Sequence, residues 1–133
     1  MTITANAYDM RTLPSAGKDW HVSLQTEDVR GCEAIKAAES GYSHYITKLT
    51  IFTDTVLAMD VSIGSGGDGG TAVTTVHFGP IPIKKLAGTQ IEPFTWNAPR
   101  GMGIKCTSGL SIAIDGTATG TVWVEADGRT CKD

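Results

Sequence analysis

Between Thr55 and Ile63 the apolar residues Leu57, Met59, Val61 and Ile63 occupy every second position, alternating with Ala58, Asp60 and Ser62. Successive side chains of a pleated strand point to opposite faces, so this spacing buries one face and wets the other. The rhythm returns in Ile104/Cys106, Ile112/Ile114 and Val122/Val124, and no stretch carries a helical stripe of useful length. A chain patterned this way is expected to be all-β, a sandwich or barrel of antiparallel strands. Such a fold needs no cofactor and works mainly through its surfaces and loops.

At 133 residues the length fits one domain. Apolar residues make up 41% of the chain, too many for a disordered default. A net charge of −3 with 19% charged residues argues against a nucleic-acid partner, since such binding rests on clustered Lys and Arg. The longest basic cluster, Lys84-Lys85, reads as a solvated turn. No apolar run approaches the roughly 20 residues that span a bilayer, so no membrane partner is expected. The segment Met1–Asn6 has neither a basic nor an apolar signal region. Cys32, Cys106 and Cys131 form no close pair and suit synthesis in a reducing cytoplasm, with the thiols as small apolar groups. Cys106 shares the face of Ile104, which predicts its burial.

Read along its length, the chain divides into an extended arm over 1–19, a β-domain over 20–128 and a polar tail over 129–133. Leu13-Pro14-Ser15-Ala16-Gly17 breaks the arm from a first strand with Trp20, Val22 and Leu24 on one face. Glu33–Ala38 is assigned to a strand, although its alanines also suit two turns of helix. Tyr42–Thr53 is a long strand whose apolar parity shifts between Ile46 and Leu49/Ile51, which predicts a β-bulge near Thr47-Lys48. After the loop Gly64–Gly70 comes Thr71–Phe78, with Val76 and Phe78 inward. Gly79-Pro80-Ile81-Pro82-Ile83 lacks continuous ladder donors and belongs at an edge or crossover. Short strands follow over Gln90–Trp96, Gly101–Thr107, Leu110–Ile114 and Thr119–Ala126, and Asp127-Gly128 is expected to end the last. The count and spacing predict a single-domain antiparallel jelly-roll sandwich of about eight strands.

Chemical motifs are few. Gly64-x-Gly66-x-x-Gly69 matches a dinucleotide fingerprint, but strand-forming Thr71–Val76 follows where a helix N-terminus is needed to hold pyrophosphate. One carboxylate, Asp68, does not supply the oxygens that calcium takes. His21, His44 and His77 include no His-x-His pair and read as partly exposed strand residues, and no metal or other cofactor is expected. No nucleophile stands beside a base in the sequence, so no catalytic residues are assigned. Trp20, Trp96 and Trp123 are either ordinary core residues or an exposed platform for a subunit or a sugar ring, as is the neighbourhood of Trp96 down to Arg100.

With the strands placed, Lys36-Ala37-Ala38-Glu39-Ser40-Gly41 and the following Tyr42–Ile51 resemble a segment of small tailed-phage virion proteins. Val76-His77-Phe78, Trp96-Asn97-Ala98-Pro99 and Gly101–Thr107 fit the second half of that pattern, and the likeness spans about residues 33–126. Those proteins are similar to jelly-roll decoration or cement proteins of bacteriophage capsids. The resemblance implies a non-enzymatic structural protein on the capsid surface of a virion, made in the host cytoplasm. It further implies the major capsid protein as partner and a homotrimer as the assembly. In that family an N-terminal arm lies on the shell, which maps to Met1–Asp19, with Tyr8, Met10 and Leu13 as its anchors. Trp20, Trp96, Arg100 and Trp123 complete the expected interface residues. Deleting residues 1–19 is expected to leave a folded domain that no longer binds. The alternative expectation is a carbohydrate- or receptor-binding jelly roll of a phage fibre or tail, its tryptophans stacking on sugar rings.

Overall fold

The structure, a computed structural model, describes residues 10–27, 29–55, 59–66, 73–83, 93–117 and 120–133. Ten strands lie among them: β1 (Met10–Thr12), β2 (Lys18–Thr26), β3 (Glu33–Lys36), β4 (Tyr42–Thr53), β5 (Met59–Ser65), β6 (Thr75–Ile83), β7 (Phe94–Asn97), β8 (Met102–Lys105), β9 (Ile112–Gly116) and β10 (Val122–Lys132). All pairings are antiparallel. One sheet runs β1-β8-β4-β10-β2 with β7 also on β4, and the other runs β3-β9-β5-β6.

Without β1 and β7, the remaining eight strands fold back as one doubled ribbon. The first, β2, pairs with the last, β10, and then β3 pairs with β9, β4 with β8 and β5 with β6. Rolled into two facing sheets, β2-β10-β4-β8 against β3-β9-β5-β6, this ribbon is a jelly roll. Ile46, Leu49, Ile51, Ile104, Val122 and Val124 from the larger sheet meet Val61, Ile63, Phe78, Ile112 and Ile114 from the smaller one in a single buried core. The inward face of β2, Trp20, Val22 and Leu24, packs on that core as the alternation predicts.

The bulge expected near Thr47-Lys48 is present. Lys48 pairs with Asp127 and Ile46 with Gly128, which leaves Thr47 without an opposite residue on β10. This extra residue turns both Ile46 and Leu49 inward, so a long strand with mismatched parity buries both halves. The proline segment also lies where expected. It forms the end of β6, an edge strand, with Pro80 and Pro82 exposed.

The two ends of the chain depart from the sequence reading. Met10–Thr12, placed in the arm, pairs with β8 as an edge strand, and Met10 packs against the protein's own core. The Leu13 N–H donates to Gly101 O at 2.9 Å, extending that attachment. Residues 129–132, placed in a polar tail, continue β10, paired with β4 throughout and with β2 as far as Thr130, and Thr130 and Cys131 are buried. Asp133 is also held: its N–H donates to Gly41 O at 2.9 Å, and its carboxylate accepts the Ser43 and Ser108 hydroxyls.

Asp127-Gly128 does not end the strand because the glycine serves packing there. Gly128 pairs with both Ile46 and Trp20, and a Cβ on it collides with the Trp20 ring and with Tyr45 O. Gly128→Val is therefore expected to destabilise the fold by about 3 kcal/mol, because neither backbone nor indole can yield cheaply. Urea unfolding measures this, and a loss below about 1 kcal/mol contradicts the packing account.

Candidate functional site

The outer face of the larger sheet carries a groove of about 620 Å³ where β2 and β10 pass the bulge in β4. Its position follows from three pieces of local structure. Alternation along β2 and β10 turns Asp19, His21, Asp127 and Arg129 outward opposite the inward-facing Trp20–Gly128 pair. The Ala98 N–H donates to Thr47 O at 2.8 Å and the Met102 N–H to Pro99 O at 3.0 Å, which fixes the 98–102 turn as one wall. Leu13, bonded to that turn, contributes an apolar side.

The charges of the groove are largely matched. Arg129 Nε donates to Asp19 Oδ1 at 2.7 Å, and its guanidinium also donates to Pro14 O at 2.7 Å. This bond holds the Asp19 carboxyl below the usual carboxylate range and the Arg129 guanidinium above its own. His21 Nδ1 meets the Asp127 carboxylate. Arg100 is exposed on the turn, and no hydrogen bond or ion pair ties it to another described residue. It is the groove's cation without a fixed partner among those residues.

Of the residues singled out in the sequence, Leu13, Trp20 and Arg100 meet at this groove. Tyr8 lies outside the described residues, as do Lys84, Lys85, Asp68 and most of the glycine loop. Trp96 sits on the inward side of β7 and meets Phe78 edge-on at 5.0 Å. Trp123 is half-buried on the outer face and stacks on Phe52 of β4 at 5.1 Å, with an 11° angle between rings. The indole N–H of Trp20 is buried with no acceptor among the described residues.

Two of the three histidines contradict the expectation of partial exposure. His44 and His77 are buried, and His21 alone is exposed. His44 Nε2–H donates to Ala37 O at 2.8 Å, which leaves Nδ1 to accept the Thr130 hydroxyl at 2.6 Å. Burial pushes the His44 pKa below its ordinary value and outweighs the Ala37 bond. Lys36 lowers it further, and Glu39 opposes. His77 Nε2 lies 2.6 Å from Ser65 Oγ, which also accepts the Thr107 N–H at 2.9 Å. This hydroxyl–imidazole contact was invisible in the sequence, because strand pairing rather than a motif joins residues 65 and 77. Ser65 is 0% exposed, so the pair acts as a polar pin between strands and meets no outside molecule in this conformation.

All three cysteines are buried, and none forms a disulfide. Burial pushes the Cys106 thiol up to about 12, against a Ser65 hydrogen bond that lowers it, which leaves an inert thiol. No group of His, Cys, Asp and Glu that suits a metal ion occurs among the described residues. Strand follows the Gly64-x-Gly66-x-x-Gly69 pattern within the described residues, as β6. No protein-family model matches the chain, and no curated protein matches it.

The lowered His44 pKa sets a pH dependence. The folded protein favours the neutral ring, so the contribution is complete above the unfolded value of about 6.5 and is lost as pH falls below it. Stability should drop by up to about 1.4 kcal/mol per pH unit from this residue. Urea midpoints of the native protein and of His44→Gln measured between pH 7.5 and 5 isolate that slope. Parallel profiles contradict it.

Proposed function

We propose that this protein is a non-enzymatic structural subunit of a virion, a decoration or cement protein that binds the outside of a phage capsid and stabilises it. Its partners on this reading are the major capsid protein and, in a homotrimer, copies of itself. The observation that carries the proposal is the convergence of Leu13, Trp20 and Arg100 on one outer groove. There Leu13 offers an apolar side and Arg100 a cation without a fixed partner among the described residues, beside the Arg129–Asp19 ion pair and the His21–Asp127 contact and over the inward Trp20 ring. An apolar anchor beside a charge fits a protein partner with a complementary carboxylate. The jelly-roll topology agrees with the resemblance of residues 36–51 and 96–107 to virion decoration proteins.

The sugar-platform alternative asks for a solvent-facing row of tryptophans. Trp20 and Trp96 pack on the core and Trp123 stacks on Phe52, which weighs toward assembly. Attachment through a free arm over 1–19 is also recast, since β1 and the start of β2 lie within those residues. Deleting 1–19 removes β1, the Asp19–Arg129 pair and two rungs of β2 against β10, so the truncated chain is expected to lose stability as well as binding.

Substitutions that leave the strands intact separate the two effects. Arg100→Glu, on an exposed turn, is expected to weaken binding to purified capsids lacking the protein by about tenfold or more, with an unchanged melting temperature. Leu13→Ala should weaken it in the same direction. Native occupancy by both variants in a particle-sedimentation assay contradicts the proposal.

A further inference from the structure

A second groove, of about 600 Å³, opens on the other side of the start of β2, lined by Lys18, Trp20, Lys36, Glu39, Tyr42 and Lys132. Three lysines from three strands converge there in a chain whose net charge is −3. Facing them are two carboxylates, and one of these, Asp19, is already bound to Arg129. Lys36 Nζ lies 5.6 Å from the centre of the Trp20 ring, which holds that ammonium at the groove by cation–π attraction. Lys18 and Lys132 are exposed. Tyr42, at 39%, is the large apolar side chain that stands exposed among the described residues, and it stands in this groove.

An exposed aromatic face beside a cluster of ammonium groups has a specific chemical complement. The ring offers a flat apolar surface with a hydroxyl at its rim, suited to the C–H face of a pyranose. The lysines offer charge-assisted hydrogen bonds to a carboxylate on the same ligand. The volume fits a ligand of one to a few rings. We propose that this groove binds a carboxylated sugar, its ring lying on Tyr42 and its carboxylate held by Lys18, Lys36 and Lys132. An acidic peptide would use the lysines but would leave the Tyr42 ring without a role, and it is the competing occupant that a test must separate. The inference does not depend on the capsid reading, because it concerns the isolated protein.

The test is calorimetric titration of the full chain at low ionic strength with tetragalacturonate, with neutral maltotetraose and with tetraglutamate as comparisons. Tetragalacturonate is expected to bind saturably, more tightly than either comparison, and more weakly as salt is raised. The double variant Lys18→Gln/Lys132→Gln and the single variant Tyr42→Ala should each lose about tenfold in affinity at unchanged melting temperature. Tyr42→Phe, which keeps the ring, should retain binding. Three results overturn the proposal: no saturable binding of tetragalacturonate, equal binding of tetraglutamate with no effect of Tyr42→Ala, or tetragalacturonate affinity indifferent to the lysine pair.

Discussion

The Trp20 indole lies against Gly128, and the arrangement of the rest of the larger sheet depends on that close approach. β10 pairs on both sides, with β4 and with β2, and Gly128 is where a side chain would force them apart. One residue away, the bulge at Thr47 lets β4 keep apolar residues inward on either side of the same point. Packing and register are therefore settled together at Ile46, Gly128 and Trp20. The outer groove is a consequence of the same geometry, because fixing Trp20 and Gly128 inward turns Asp19, His21, Asp127 and Arg129 outward.

Much of this was legible in the sequence because period-two alternation is a direct record of which face is buried. It gave the strand over Tyr42–Thr53, the bulge, the inward face of β2 and the edge position of the proline segment. What it misread are places where local chemistry has two uses. Asp127-Gly128 has the composition of a turn, yet the glycine is there to admit an aromatic ring. Residues 129–133 look polar, yet 129–132 continue the last strand, with the adjacent Thr130 and Cys131 both buried. The breaker cluster at 13–17 does separate two strands, but the segment before it finds a partner in β8, across a long stretch of sequence.

The site was legible only in part, and for a similar reason. Leu13, Trp20 and Arg100 were each singled out, but their meeting at one groove depends on hydrogen bonds between remote segments, Leu13 to Gly101 and Ala98 to Thr47. Burial of His44 and His77 likewise depends on tertiary partners, Ala37 and Thr130 for one and Ser65 for the other. Inside the sandwich His44 is bonded at both ring nitrogens and His77 at Nε2, while Arg100, without a fixed partner among the described residues, and exposed Tyr42 lie on the outside. A protein so arranged fits work done through faces, and the virion-decoration proposal is a specific form of that reading.

Electron cryomicroscopy of phage capsids incubated with the purified protein tests the proposal most directly. The account predicts ordered density on the outside of the shell, with Leu13 and Arg100 directed at the capsid subunit. Bare shells at saturating protein, or bound copies whose groove faces away from the capsid, would contradict it.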